Sequence, residues 1–378
     1  MSTPRYTVLE AIATGNPPVA GAQTEAAAFM QRVTSLPTRI RERIPLIYER
    51  SAIDQRYTTI GDYKESDVEQ FTFFPPTWSL SPAPTTGQRN RRYKDYIVPL
   101  ATEVGRAALQ RAGRTPDEVT HVIAVSCTGF FAPGLDIALV KHLGLSPTTQ
   151  RTLIGFMGCY AAFNGLRVAH SFCQAHPNAC VLLVCAELCT LHFQIDDTLE
   201  SAIVNALFSD GAAAAVLTAK EHADALGHLA YTDAHTLLDE DSLNYMTWAI
   251  GDTGFEMGLS ARVPQVIARH LPGFVDTLLD RNGLSKDDLD FWAIHPGGRA
   301  IVEKAQRVLG LSNADVHASL EILRRYGNMS SPTILFVLNS LLEQHSQAQK
   351  VGESGFKSGV AMAFGPGLTL EGCLWQMV

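Results

Sequence analysis

Three short strings in this sequence set reactive side chains among small or turn-forming residues. They are Gly158-Cys159-Tyr160, Ile294-His295-Pro296-Gly297-Gly298 and Gly327-Asn328-Met329-Ser330-Ser331. The Cys159 thiol is a weak nucleophile until a base such as the His295 imidazole takes its proton. The Asn328 carboxamide is a neutral donor that can stabilise an oxyanion. Together the three side chains suit acyl chemistry on thioesters.

Taken singly, each of the three residues also has a structural explanation. Cys159 follows Gly155 and Gly158, which indicates a tight bend leading into a buried helix. A helix N-terminus favours a thiolate, although a buried cysteine is more often structural. His295 ends an apolar strand, where sites collect in α/β folds, but a surface loop histidine is the alternative. Asn328 taken alone is more typical of a turn or helix-capping residue. Only the combination favours catalysis.

Apolar strands alternate with helices along the chain, which predicts a layered α/β protein with strands covered on both faces. We predict strands at His121–Val125, Val181–Cys185, Ala212–Leu217, Phe291–Ile294, Gly359–Phe364 and Leu368–Cys373. Helices are expected from Leu100 to Ala108, Gln265 to Leu279 with a kink or break at Pro272-Gly273, Ala300 to Leu309 and Thr333 to Leu342. Phe71 to Asn90 is predicted to be a loop, and the polar stretch from Lys220 to Leu238 to divide the halves.

Composition excludes several classes of protein. The 378 residues are 46% hydrophobic and 18% charged, which is typical of a globular chain. The net charge of −8 and the absence of a basic block argue against nucleic-acid binding. Seven cysteines at irregular spacing favour a reduced, cytoplasmic protein, and no apolar run is long enough to predict a membrane span.

Other cofactor and catalytic patterns are missing from the sequence. Cys173, Cys180, Cys185, Cys189 and His192 do not have the paired spacing of a zinc site, so no metal is expected. The sequence contains no dinucleotide or phosphate-loop fingerprint and no Gly-X-Ser-X-Gly elbow. No cofactor is therefore predicted beyond the thioester substrates.

Five ordered motifs give the chain a resemblance to the type III polyketide synthases, the chalcone synthase-like branch of the thiolase superfamily. The motifs are Gly158-Cys159, Ala206-Leu207-Phe208-Ser209-Asp210-Gly211-Ala212, Trp292-Ala293-Ile294-His295-Pro296-Gly297-Gly298, Tyr326-Gly327-Asn328-Met329-Ser330-Ser331 and Phe364-Gly365-Pro366-Gly367-Leu368. The resemblance implies a thiolase-like five-layer αβαβα fold and a homodimer. It implies two similar halves, residues 1–228 with Cys159 and residues 229–378 with His295 and Asn328. These three residues would form the catalytic triad, acting on acyl-CoA and malonyl-CoA.

The resemblance also implies a substrate cavity and a CoA site. Phe208 would be a gatekeeper at the cavity, and Met257 stands where a second gatekeeper phenylalanine is usual. Further cavity positions are Cys127, Ala132, Cys189, His192 and Ser330. The CoA positions are Arg43, Arg50, Gly297 and Ala300, with Leu46 where a third cation is usual. The cavity cysteines look bacterial rather than plant-like, and Ala132 replaces a methionine that reaches across the plant dimer.

Small residues such as Cys127 and Ala132 favour a long acyl starter, so we expect a fatty acyl-CoA to give an alkylpyrone or alkylresorcinol. One alternative is a synthase that uses only malonyl-CoA and makes tetrahydroxynaphthalene. A second alternative is a priming ketoacyl synthase or a hydroxymethylglutaryl-CoA-type synthase. A priming ketoacyl synthase would, however, show His-Gln-Ala-Asn in place of His295-Pro296-Gly297-Gly298. The last alternative is a binding protein of the same fold without catalytic activity.

Overall fold

The structure is a computed structural model that describes residues 5–352 and 355–378. The strands are β1 Arg5–Gly15, β2 Val19–Ala22, β3 Gln55–Thr58, β4 His121–Val125, β5 Gln150–Ile154, β6 Cys180–Leu188, β7 Asp210–Glu221, β8 Leu229–Leu238, β9 Met246–Gly251, β10 Gly254–Leu259, β11 Phe291–Ile294, β12 Ser358–Gly365 and β13 Thr369–Met377. The helices are α1 Gln23–Arg32, α2 Thr38–Arg41, α3 Ile44–Arg50, α4 Thr86–Arg111, α5 Leu135–Leu143, α6 Ala161–Ala175, α7 Leu199–Leu207, α8 His222–Ala225, α9 Val263–Asp280, α10 Arg299–Leu309, α11 Asn313–Tyr326 and α12 Thr333–Lys350.

The central strands form one mixed sheet in the order β11-β12-β13-β8-β1-β7-β6-β4-β5. Strands β4, β5 and β6 run parallel, as do β11 and β12, and the other neighbours are antiparallel. A short antiparallel pairing of β1 with β8, from Thr7 opposite Tyr231 to Leu9 opposite Leu229, joins the strands of the two halves. Both halves therefore contribute to one hydrogen-bonded framework.

Alternating side chains along the strands define the layers. On β6, Leu182 and its even-numbered neighbours pack against α4 and α5, whereas Leu183 and its odd-numbered neighbours face α6 and α12. On β12, Ala361 faces the same central helices and Val360 packs towards α9 and α10. The order is helix, first half of the sheet, helix, second half of the sheet, helix, and it confirms the predicted thiolase-like, five-layer arrangement. Strands buried on both faces need the continuous apolar runs seen in the sequence.

The predicted strands are confirmed, but several boundaries differ. Helix α9 continues through Pro272, so of the predicted kink or break the break is wrong and the kink stays a prediction; the apolar face of the helix, including Phe274 and Val275, is buried. Helix α4 begins at Thr86, inside the predicted loop, where Thr85 caps the first turn. The predicted divide from Lys220 to Leu238 contains β8, whose polar residues pair with β13. The division at residue 228 stays a prediction.

No helix within residues 5–352 and 355–378 is both long and apolar enough to cross a membrane.

Candidate active site

The predicted bend before Cys159 is present at the end of β5. Gly158, Cys159 and Tyr160 form a short 3₁₀ turn that leads directly into α6. Gly158 has a φ of 73°, and a Cβ there would lie 2.5 Å from the Pro366 ring. Glycine is therefore required, both for the left-handed backbone and for the close approach of the loop after β12. The bend delivers the buried Cys159 thiol to the start of a helix.

Asn328 lies in a short parallel bridge with the segment around Phe208. The Asn328 N–H donates to the Leu207 carbonyl at 2.9 Å, and the Ser209 N–H donates to the Asn328 carbonyl at 2.8 Å. The bridge follows the end of α11 at Gly327, where a φ of 71° turns the chain. The backbone of Asn328 is thus fixed to the end of α7.

The Asn328 carboxamide is oriented by two further contacts. Its Nδ2 donates to the Gly297 carbonyl at 3.2 Å, and its Oδ1 accepts from the Ser330 N–H at 2.8 Å. These contacts fix which end of the amide is the donor. They also connect Asn328 to the glycine pair that follows His295.

His295 continues the line of β11, and its N–H donates to the Met362 carbonyl of β12 at 2.8 Å. The ring is buried, and among the described residues neither ring nitrogen has a hydrogen-bond partner. Burial lowers the pKa of His295 to about 3. Buried polar atoms are normally paired, so an unpaired imidazole is suited to a partner that arrives with the substrate.

The Cys159 thiol is strongly affected by its surroundings. Burial raises its pKa to about 11, hydrogen bonds from the Ser330 and Asn328 side chains lower it, and the nearby Glu187 charge raises it. The backbone of Ser330 is left-handed, with a φ of 60°. Burial alone favours a neutral thiol and a neutral imidazole, so a thiolate–imidazolium pair forms only if the attraction between the two charges outweighs the cost of burying them.

Glu187 is a functional candidate that the sequence reasoning did not select. It is fully buried at the end of β6 and accepts hydrogen bonds from the Cys127 N–H and from the hydroxyls of Ser126, Thr128 and Ser331. Burial raises its pKa to about 7, against the effect of these donors. A lone carboxylate in an otherwise apolar strand was the signal that could have identified it.

A cavity lies at the Cys159 thiol. It is lined by most of the residues predicted to bind substrate: Cys127, Cys189, His192, Phe208, Met257 and Ser330. His295 and Asn328 are also buried. The structure therefore brings the predicted cavity positions together around one thiol.

The cavity extends well beyond the thiol, towards the N-terminal helices. This second part, which we call the N-terminal arm, is lined by Ala26 and Met30 of α1, Tyr48 of α3 and Tyr63. Thr58 and Thr190 connect the arm to the thiol chamber, and their hydroxyls are 2.8 Å apart. The arm ends at the exposed residues Glu25 and Lys64.

The hairpin β9–β10 forms part of the cavity wall and carries Met257. The Trp248 indole donates to the Cys127 carbonyl at 2.8 Å, and the Phe255 N–H donates to His192 Nδ1 at 2.9 Å. His192 Nε2 lies 2.7 Å from the Thr128 carbonyl, and burial lowers the pKa of His192 to about 3. Both ring nitrogens are occupied, so His192 lines the cavity as a neutral ring.

The remaining predicted positions lie outside the cavity. Ala132 is exposed on the loop after β4 and does not line the cavity of its own chain. Arg43 and Arg50 are exposed at the two ends of α3, next to the exposed Leu46, and Ala300 is exposed in the first turn of α10. Gly297 is half-buried beside the His295 ring. Their roles stay predictions.

Comparison with known proteins supports the resemblance over nearly the whole chain. Residues 3–221 match the family described as "Chalcone and stilbene synthases, N-terminal domain", and residues 232–378 match "Chalcone and stilbene synthases, C-terminal domain". "Alpha-pyrone synthesis polyketide synthase-like Pks18" of Mycobacterium tuberculosis is 34% identical over 98% of this chain and 91% of its own. "3,5-dihydroxyphenylacetyl-CoA synthase" of Streptomyces toyocaensis is 32% identical over 88% of this chain and 82% of its own.

Solved structures agree with the sequence relatives. PKS-I from the brown alga Ectocarpus siliculosus is 38% identical and superposes with a TM-score of 0.95, each chain covered completely. The type III polyketide synthase domain of "Steely1" from Dictyostelium is 26% identical, with a TM-score of 0.87 over 99% of each chain. This chain belongs to the chalcone and stilbene synthase family and is a type III polyketide synthase, an acyltransferase that acts on CoA thioesters. Since the relatives come from bacteria, an alga and Dictyostelium, a bacterial origin stays a prediction.

Proposed function

We propose that the enzyme loads a fatty acyl-CoA starter on Cys159, extends it with malonyl-CoA and closes the product to an alkylpyrone or alkylresorcinol. The observation that carries this proposal is the N-terminal arm, since the cavity continues from the thiol into a long, mainly apolar passage. A small aromatic starter would leave the arm unfilled. An extended acyl tail would bury its methylene groups there, each contributing about 0.8 kcal/mol.

In the loading step His295 accepts the Cys159 proton, and the thiolate attacks the acyl-CoA carbonyl. The tetrahedral intermediate collapses as the CoA sulfur leaves, and the imidazolium returns the proton to that sulfur. The buried, unpaired imidazole is suited to this exchange because no other group competes for its nitrogens among the described residues.

In the extension step the thioester oxygen of malonyl-CoA accepts hydrogen bonds from Asn328 and His295. Carbon dioxide leaves, and the resulting enolate attacks the acyl–Cys159 carbonyl, forming the carbon–carbon bond and releasing the Cys159 thiolate. The fixed orientation of the Asn328 carboxamide supports this role, because a donor that is already in place stabilises developing charge without reorganisation.

CoA would enter past Phe208, which directly follows α7, and Met257 of β10, both of which line the chamber. Helix α3, with Arg43 and Arg50 at its ends, packs against α7. These exposed guanidinium groups are suited to the CoA phosphates. Gly297 and Ala300 precede and begin α10, whose N-terminal dipole also favours an anion.

A homodimer is part of the proposal. Strand β5 lies at the edge of the sheet, and exposed apolar side chains surround it: Ile137 at 40%, Leu153 at 45% and Met157 at 40%. An exposed edge strand of this kind is normally covered. The exposed loop of Ala132 lies in the same part of the chain, so a second copy would bring Ala132 near the partner's cavity.

The state of the cysteines supports a cytoplasmic location as a further part of the proposal. All seven are unpaired and buried. Unpaired cysteines are typical of a reducing compartment.

The test is mass spectrometry of products from malonyl-CoA with saturated acyl-CoA starters from acetyl to stearoyl. We expect long-chain starters to give pyrones or resorcinols with the highest kcat/KM. Replacing Ala26 with tryptophan would block the arm and shift the preference to short starters. Ala28→Trp is the matched control, because Ala28 is exposed on the same helix.

Two results would contradict the proposal. Product formation from malonyl-CoA alone, unaffected by any starter, would favour the tetrahydroxynaphthalene-type alternative. Acceptance of carrier-protein thioesters without ring formation would favour a priming synthase.

A further inference from the structure

We propose that Arg56 is a positioning residue that holds Asn328 and the Phe208 gate as one unit. The proposal rests on the proposed function only for what Asn328 does in the reaction. Arg56 lies in the short strand β3, lines the cavity and has no assigned role in the chemistry described above.

The Arg56 guanidinium is bound by carbonyls rather than by a carboxylate. Its Nη1 donates to the carbonyls of Asn205 at 2.6 Å and Phe208 at 2.9 Å, and its Nε donates to Gln23 Oε1 at 2.7 Å. The guanidinium carbon lies 5.5 Å from the centre of the Tyr48 ring. These two carbonyls lie at the C-terminal end of α7, where the helix dipole favours a cation. Arg56 therefore caps α7 and fixes the backbone of the gate residue.

The segment around Phe208 is also bound by Tyr57, the residue that follows Arg56. The Ser209 hydroxyl accepts from the Tyr57 N–H at 2.8 Å and donates to the Tyr57 carbonyl at 3.1 Å. The Leu207 carbonyl and the Ser209 N–H are the two partners of the Asn328 backbone. Arg56 and Tyr57 of β3 thus bind the segment from Asn205 to Ser209, which contains Phe208. The backbone of the same segment also pairs with Asn328.

The Arg56 stem also packs against the turn that precedes Asn328. A Cβ on Gly327 would lie 3.1 Å from Arg56 Cγ and 3.1 Å from Ser209 Cβ. The turn, the stem and the gate segment are therefore in close contact. A shift of Arg56 would move the Asn328 carboxamide and the Phe208 ring together, and misplacement by about 1 Å can lower a rate on the order of a hundredfold.

The test compares two half-reactions in Arg56→Met and Arg56→Lys. The first is decarboxylation of malonyl-CoA, which depends on Asn328; the second is acylation of Cys159 by an acyl-CoA, followed by mass spectrometry of the intact protein. We expect Arg56→Met to lower kcat for decarboxylation on the order of tenfold to a hundredfold, with acylation changed less than about threefold. Lysine keeps the charge without the planar fork, so Arg56→Lys should restore part of the loss.

Arg92→Met is the matched control. Arg92 is also half-buried and also donates to a backbone carbonyl, that of Thr59 at 2.7 Å, but it does not line the cavity. Its loss should leave the ratio of the two half-reactions unchanged. In the Asn328→Ala background, Arg56→Met should lower decarboxylation no further, because the two residues act through one donor.

Equal loss of both half-reactions in Arg56→Met, or additive losses with Asn328→Ala, would overturn the proposal. If Arg56→Met does not fold, the same comparison is made with Arg56→Lys: an equal loss of decarboxylation and acylation in that variant would also overturn the proposal. A wild-type enzyme that does not decarboxylate malonyl-CoA would instead refute the proposed function, which is a separate outcome.

Discussion

Replacing His295 with glutamine isolates what the imidazole does for the Cys159 thiol. Burial raises the pKa of Cys159 to about 11, despite hydrogen bonds from Ser330 and Asn328. At pH 7 a thiol with that pKa is thiolate in about one molecule in ten thousand, which corresponds to about 5 kcal/mol. Burial also lowers the pKa of His295 to about 3, so the wild-type enzyme reduces this cost only through the attraction between the imidazolium and the thiolate that form together.

The assay is alkylation by iodoacetamide between pH 6 and 9, quantified on the peptide that contains Cys159. In His295→Gln the rate should rise about tenfold per pH unit without a plateau. In the wild type it should level off at lower pH and exceed the variant at pH 7 by on the order of a hundredfold. Cys127 and Cys189 line the same cavity with pKa values raised well above normal, so their peptides serve as internal controls. Identical pH profiles for the two proteins would refute His295 as the proton acceptor.

Three further predictions follow from the same site. Asn328→Ala should lower malonyl-CoA decarboxylation on the order of a hundredfold while Cys159 is still acylated; full decarboxylation by the variant would remove Asn328 from the oxyanion role. Glu187 has a pKa raised to about 7, so its contribution to folding is favourable below about pH 4.5 and is lost as pH rises through 7. Urea titrations should therefore show Glu187→Gln gaining about 3 kcal/mol relative to wild type between pH 5 and 8, and a constant difference would contradict this. Trp248→Phe removes the bond to the Cys127 carbonyl and should lower the free energy of unfolding by about 1 kcal/mol and broaden the product mixture; an unchanged thermal midpoint and unchanged products would count against the hairpin's role.

Much of the framework could be predicted because its physical cause is local. The strands are buried on both faces, so they appear as short apolar runs with glycine or proline at their ends. The bend at Gly158 was predictable for the same reason, since a left-handed glycine before a buried helix has few substitutes. The break predicted at Pro272 was wrong because burial of one helix face outweighs a single missing hydrogen bond.

The rest depends on contacts that are distant in sequence. Glu187 obtains its partners from residues 126–128 and from Ser331, and no local pattern links these segments. Arg56 binds carbonyls about 150 residues away, from a strand of only four residues. His192 was predicted to line the substrate cavity from the resemblance to the family. Only the fold shows that both its ring nitrogens are already used.

The N-terminal arm ends at the exposed residues Glu25 and Lys64, and under the proposed function this has a consequence for product size. A pocket closed by core residues sets an upper limit on the tail it accepts, whereas a passage that ends among exposed side chains sets a weaker one. The enzyme would then not select a single tail length. In the cell, the distribution of side-chain lengths among its products would follow the acyl-CoA pool, and would change with growth temperature or nutrient supply whenever that pool does.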